Sequence, residues 1–296
     1  MNKLPDEDIS SNNTAKTSIE QPSIRNLLIF TVIVLASGWI GIGLDISLGQ
    51  SAGAGLGMLI WILSPFVVSF SLRKFGGDGW SDLGLRPNLI GNWYWYGLSI
   101  FLYPICVIVI VVLGVILGYV EWQEMNASNI KLVVVVFSQT FLLQMVQNTF
   151  EETGFRGYLT PRAYSLGWNA LWVHVIVGLV WGIWQVPYLR QVLAHMVPYA
   201  DENMLTLVSR FLIGTISLSL VYGELRLLTN SLWPAVLMQA IGGSFVAALV
   251  LNTILTFKTV GATIFMPMVE SLLVSLLFAC LGLLLYLRRT RNLIVD

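Results

Sequence analysis

Residues 97–117 read GLSIFLYPICVIVIVVLGVIL, an unbroken apolar run with no charged side chain. A helix needs roughly 20 apolar residues to cross a hydrocarbon layer of ~30 Å, so this stretch is a membrane span with lipid as its solvent. Just before it, Trp93, Tyr94, Trp95 and Tyr96 suit the headgroup region, where amphipathic rings collect. The whole run of about 92–119 is long enough to tilt or to start at the interface. On the same criterion the flanking chain holds seven more candidates, at about 27–47, 54–72, 131–150, 167–187, 204–223, 231–252 and 265–287. The expected fold is all-α, a polytopic transmembrane helix bundle of about eight spans.

Composition agrees. Of 296 residues, 56% are hydrophobic and 11% charged, against about 25% charged in soluble domains. The mean hydropathy is +0.77, and a water-soluble core of this size cannot bury that much apolar surface. Net charge is zero, which points away from nucleic acid. Cys106 and Cys280 both lie in apolar runs and read as small fillers, not as a disulfide or metal pair.

Positive charge sets the expected orientation. With the N-terminus cytoplasmic, the inner side holds twelve basic residues, from Lys3 to Arg291. The outer side holds only Lys131, Arg190, Arg210 and Lys258. This satisfies the positive-inside rule and puts both termini in the cytoplasm. Residues 1–25 lack a signal-peptide core and read as a disordered cytoplasmic tail. Residues 26–296 read as one transmembrane domain, and Gly76 to Pro87 as a cytoplasmic turn with a short amphipathic stretch. There is no internal repeat of the kind a transporter's paired broken helices would leave.

The fourth span ends in a polar stripe. Gln144, Gln147, Asn148 and Glu151 share one helical face, and polar groups at membrane depth usually face a bundle interior or a wet cavity. Glu152 and Arg156 stand four apart, the favourable order for a helical ion pair. Glu151 points elsewhere, and a carboxylate in a water-poor pocket is suited to take a proton from water. The spacing equally permits both carboxylates to mark the interface and pair with Arg156 and Arg162.

The run Glu151-Glu152-Thr153-Gly154-Phe155-Arg156-Gly157, then Tyr158-Leu159, resembles the first motif of the CPBP family. These are the CAAX-processing and bacteriocin-processing (Abi, Rce1-type) intramembrane endopeptidases. The second family motif, an aromatic, three residues and a histidine, is similar to Trp181-Gly182-Ile183-Trp184-Gln185-Val186-Pro187. The third, Ser-Leu-Trp-Pro-Ala leading to His-x-x-x-Asn, is similar to Ser231-Leu232-Trp233-Pro234-Ala235, then Gln239 and Gly243. The resemblance runs from Gln147 to Ser244, within a CPBP-like core of about 131–252.

The resemblance implies that Glu151 is the base, supported by Glu152 and Arg156. It also implies that residues 185 and 239 hold the water, a metal or the oxyanion, and that residue 243 completes the oxyanion site. Here those three positions are Gln185, Gln239 and Gly243. Glutamine does not titrate and is a poor zinc ligand, though it still donates hydrogen bonds. His174 reads as a satisfied core histidine, and His195 falls in an expected outer loop, so no metal or cofactor is expected. The expectation is a catalytically degenerate scaffold in the cell membrane. It would be bathed in membrane lipid and bind a membrane-associated peptide or protein partner. The alternative is an active CAAX-type glutamate endopeptidase.

Overall fold

The structure, a computed structural model, describes residues 24–50, 55–193 and 202–295. The expected tail lies outside the described residues as far as residue 23, and so does His195. The helices are α1 (Ile24–Ser47), α2 (Leu56–Phe75), α3 (Trp93–Ile116), α4 (Ala127–Gly154), α5 (Thr160–Ser165), α6 (Ala170–Leu193), α7 (Met204–Thr229), α8 (Trp233–Val246), α9 (Thr259–Phe265) and α10 (Leu272–Val295). Among the described residues eight helical stretches are long and apolar enough to cross a membrane, matching the expected spans one for one. Outward faces carry exposed Ile33, Ile108 and Leu284, as expected of surfaces whose solvent is hydrocarbon.

Four local features differ from the expectation. The fourth span does not stop near residue 150, because a π-helical turn over Phe155–Leu159 carries it through to Ser165. The third stops at Ile116 rather than 119, where Gly118, at φ +73°, adopts the left-handed conformation that ends helices. Beyond it β1 (Val120–Trp122) pairs antiparallel with β2 (Leu255–Phe257), in the register Val120↔Phe257. The segment after Gly76 forms bends and turns with no helix before Trp93.

Six helices close a ring in the order α1, α2, α4, α8, α7, α6, with α3 outside against α8 and α10 outside against α7. Small residues permit the tight contacts, as is usual between membrane helices. A Cβ on Gly41 would lie 2.5 Å from the backbone oxygen of Gly57, so α1 and α2 meet backbone to backbone. Trp61 of α2 reaches α6, stacked on Trp184 at 4.7 Å and Tyr188 at 4.5 Å between centroids. Asn26 at the start of α1 donates to Gly76 O at the end of α2, and Arg289 near the end of α10 reaches Glu224 on α7. Both described ends of the chain therefore lie at one end of the bundle, the end where the polar run of α4 terminates.

Candidate active site

Each residue of the run from Glu151 to Tyr158 has a different structural task. Glu151 is buried and accepts two hydrogen bonds on Oε1, from Trp181 Nε1 at 2.5 Å and Gln239 Nε2 at 2.7 Å. Among the described residues it has no ion-pair partner, but it is not solitary, because α6 and α8 both supply donors. Glu152, fully buried, pairs with Arg156 Nη1 at 2.9 Å, as its spacing anticipates. The Arg156 guanidinium lies between aromatic faces, 4.6 Å from the Trp181 ring centroid and 5.0 Å from that of Tyr222. Cation–π attraction is strongest where the cation is shielded from water. Trp181 thus serves both halves of the motif, its N–H on Glu151 and its face on Arg156.

The π-helical turn accounts for the arginines packed around the end of the run. Hydrogen bonds that run from i to i+5 shift the register and leave nearby carbonyls short of their usual donors. Two arginines from other helices take these carbonyls: Arg226 Nε donates to Arg156 O at 3.1 Å and Arg73 Nη2 to Gly157 O at 2.6 Å. A planar fork with several donors suits this bridging. Arg73 also binds Gly79 O and Asp82, while Arg162 pairs with Asp82 at 2.9 Å, not with either glutamate of the run. Tyr158 donates to Asp78 at 2.6 Å. The segment after Gly76 is thereby strapped across the end of the site.

Two glycines in the run are there for space. A Cβ on Gly157 would sit 3.1 Å from Leu83 O, and one on Gly154 would meet the backbone carbonyl carbon and oxygen of Pro65 at 2.8 Å. Backbone in α2 cannot swing aside as a side chain can. Gly154→Ala is expected to cost about 1–3 kcal/mol through overpacking. Denaturant unfolding in detergent checks this, and an unchanged midpoint would mean that α2 and α4 separate freely.

The other expected positions fall on the same inner faces. Gln185 is one turn on from Trp181 in α6 and half-buried. Gly243 is one turn on from Gln239 in α8, and a Cβ there would lie 3.1–3.2 Å from the carboxamide atoms of Gln144. The Gln144 amide, from α4, therefore occupies the room that a larger side chain at 243 would need. The polar stripe anticipated Gln144 as inward-facing, but nothing in its spacing linked it to Gly243. The roles of Trp181, Tyr222, Arg73 and Arg226 were also not foreseen. Arg73 reads as an ordinary positive charge at a span end, and Arg226 as that and as part of the run Gly223-Glu224-Leu225-Arg226 that resembles the family's lead-in to its third motif; neither reading points to a backbone carbonyl.

The amides at 185 and 239 do not fit a zinc site, and Gln239 turns its N–H₂ toward Glu151 as a donor, not its oxygen toward a cation. Among the described residues no three His, Cys, Asp or Glu side chains gather as metal ligands would. His174 is a buried core histidine, its Nε2 2.9 Å from Glu224 Oε1, and Glu224 also accepts from Arg289 at 2.6 Å. That triad ties α6, α7 and α10 together. Cys106 and Cys280 are free thiols.

Residues 132–245 match a family model described as type II CAAX prenyl endopeptidase Rce1-like. The matched segment holds Glu151, Glu152, Arg156, Gln185, Gln239 and Gly243. No curated protein matches the chain.

Proposed function

We propose that this integral membrane protein is a member of the CPBP family, a reading supported by the Rce1-like match over residues 132–245, and that it binds a membrane-associated peptide or protein partner at Glu151 without hydrolysing it. The observation that carries the reading is the pair of donors on Glu151 Oε1, with Gln239 Nε2 at 2.7 Å where the family places a histidine. Hydrolysis needs a base free to take a proton from a positioned water, and partners that relay protons or stabilise the oxyanion. Gln239 does not titrate and so cannot relay a proton, and its N–H₂ is directed at the base instead of at a substrate oxygen. One lost oxyanion donor costs on the order of 10²–10³ in rate, and positions 185, 239 and 243 differ from the family together. What persists is a polar, hydrogen-bonding interior framed by Glu151, Gln144, Gln185 and Gln239, suited to gripping a peptide amide. In this reading the chain is a multi-pass protein of the cell membrane, with the Arg73–Asp82–Arg162 strap at the cytoplasmic end.

The test is cleavage of a prenylated peptide with a CAAX ending by purified protein in proteoliposomes. Equal, background-level product from wild type and Glu151→Gln is expected. Cleavage by wild type that Glu151→Gln abolishes would overturn the proposal. The second reading, a working glutamate endopeptidase, predicts that opposite result. Its support is the intact Glu151–Glu152–Arg156 arrangement, with Glu152 and Arg156 2.9 Å apart, which a scaffold does not strictly require.

A further inference from the structure

The first two-thirds of α4 is packed unlike the other spans. No residue of its most apolar 18-residue window is buried, whereas in α6, α7 and α8 more than half are. The inward face carries Phe137, which meets Phe245 of α8 with ring centroids 5.0 Å apart, then Gln144, Asn148 and Glu151. The opposite face carries Leu132, Val135, Gln139, Leu142 and Val146, all exposed. Their spacing alternates three and four residues, the 3.5-residue repeat of a left-handed helix–helix seam. Gln139 sits at the centre of that seam, twelve residues into the helix, and its amide has no partner among the described residues.

Leucine and valine on this face are at home in lipid, but a carboxamide is not. Ser138, its neighbour, bonds back to Val134 O within the helix, an option the longer Gln139 side chain leaves unused. Polar side chains at membrane depth usually meet a polar partner. All copies of a membrane protein insert with one orientation, so a two-fold dimer axis runs along the membrane normal. A residue on that axis then meets itself at equal depth. Glutamine is self-complementary in that position, since each amide donates through its nitrogen and accepts through its oxygen.

We infer that the exposed seam Leu132–Val135–Gln139–Leu142–Val146 of α4 is a homodimer interface, with the two Gln139 side chains paired across the axis. A second copy satisfies the amide without any group that this chain lacks. The seam faces away from Glu151, so dimerisation leaves the candidate site intact. The interface does not depend on whether that site hydrolyses anything.

Disulfide cross-linking in native membranes tests it, with Cys280→Ala removing the exposed native thiol. Leu142→Cys, which keeps Gln139, is expected to give a cross-linked dimer, and Ile108→Cys on the exposed face of α3 is not. In detergent, Gln139→Leu is expected to weaken the dimer about 3- to 30-fold, the range of one interhelical hydrogen-bond pair. Gln139→Asn, which keeps an amide, retains more of it. The Gln139 amide bonds to nothing among the described residues, so the melting of the monomer stays unchanged. Equal cross-linking at 108 and 142, no cross-linking at 142, a cross-link to a different protein, or a dimer indifferent to Gln139→Leu would each overturn the inference.

Discussion

Arg156→Ala is expected to lower unfolding stability by about 3–5 kcal/mol, the cost of stranding one partner of a buried ion pair. Glu152 and Arg156 are both fully buried and 2.9 Å apart, so no solvent screens the carboxylate left behind. The loss is compounded because the guanidinium also faces Trp181 and Tyr222, each face contributing on the order of 0.5–2 kcal/mol. Glu152→Gln is expected to cost less, since the arginine keeps both rings, and guanidinium is the more weakly hydrated ion. The double variant Glu152→Gln/Arg156→Ala is expected to be more stable than the sum of its parents. Its neutral amide demands no counter-charge, and neighbours in one network do not add. Tryptophan-monitored denaturation of the purified protein in detergent checks all three variants. An Arg156→Ala protein as stable as wild type would mean that Glu152 is not an unscreened charge.

That dependence also explains how much could be read ahead of the structure. The eight spans were legible because lipid imposes one requirement on every residue of a span, and runs such as 97–117 satisfy it without a break. The Glu152–Arg156 pair was legible because i to i+4 is a local relation. The π-helical turn was not, since it changes which carbonyl each amide reaches without changing the residues' apolar pattern. Arg73 and Arg226 depend on that turn: their partners are Gly157 O and Arg156 O, and no side-chain pattern announces a carbonyl that lacks a donor. The β1–β2 pair was invisible for another reason, since three residues per strand across more than 130 positions of chain leave no alternation to detect.

Within the site the same division holds. Glu151 and Gln239 could be placed by resemblance, but their bond to each other depends on how α4 and α8 pack. Gln144 is the clearest case. Its face was predictable from the stripe it shares with Gln147, Asn148 and Glu151, whereas its contact with Gly243 depends on the close approach of α8. The absence of a side chain at 243 is thus coupled to the presence of one at 144.

That coupling governs the second large effect. The double variant Gln185→His/Gln239→His is expected to cleave a prenylated CAAX-type peptide at least about 100-fold faster than wild type, the scale of one recovered oxyanion or general-acid group. Glu151→Gln in that background returns it to the wild-type baseline. Gly243→Asn added alone is expected to contribute little, because its Cβ would stand 3.1–3.2 Å from the Gln144 carboxamide and one of the two amides must leave its place. Gly243→Asn together with Gln144→Ala removes the competitor, so the new amide can settle beside position 239 and raise the rate further. The order of these gains separates two accounts of the site. If the histidines alone restore full activity, Gln144 already does the work of a residue at 243. If activity rises only when 144 and 243 are exchanged together, the Gln144 amide fills that space without serving the reaction. A well-folded quadruple variant with no activity would place the defect outside these four positions and count against a site lost by replacement of its histidines.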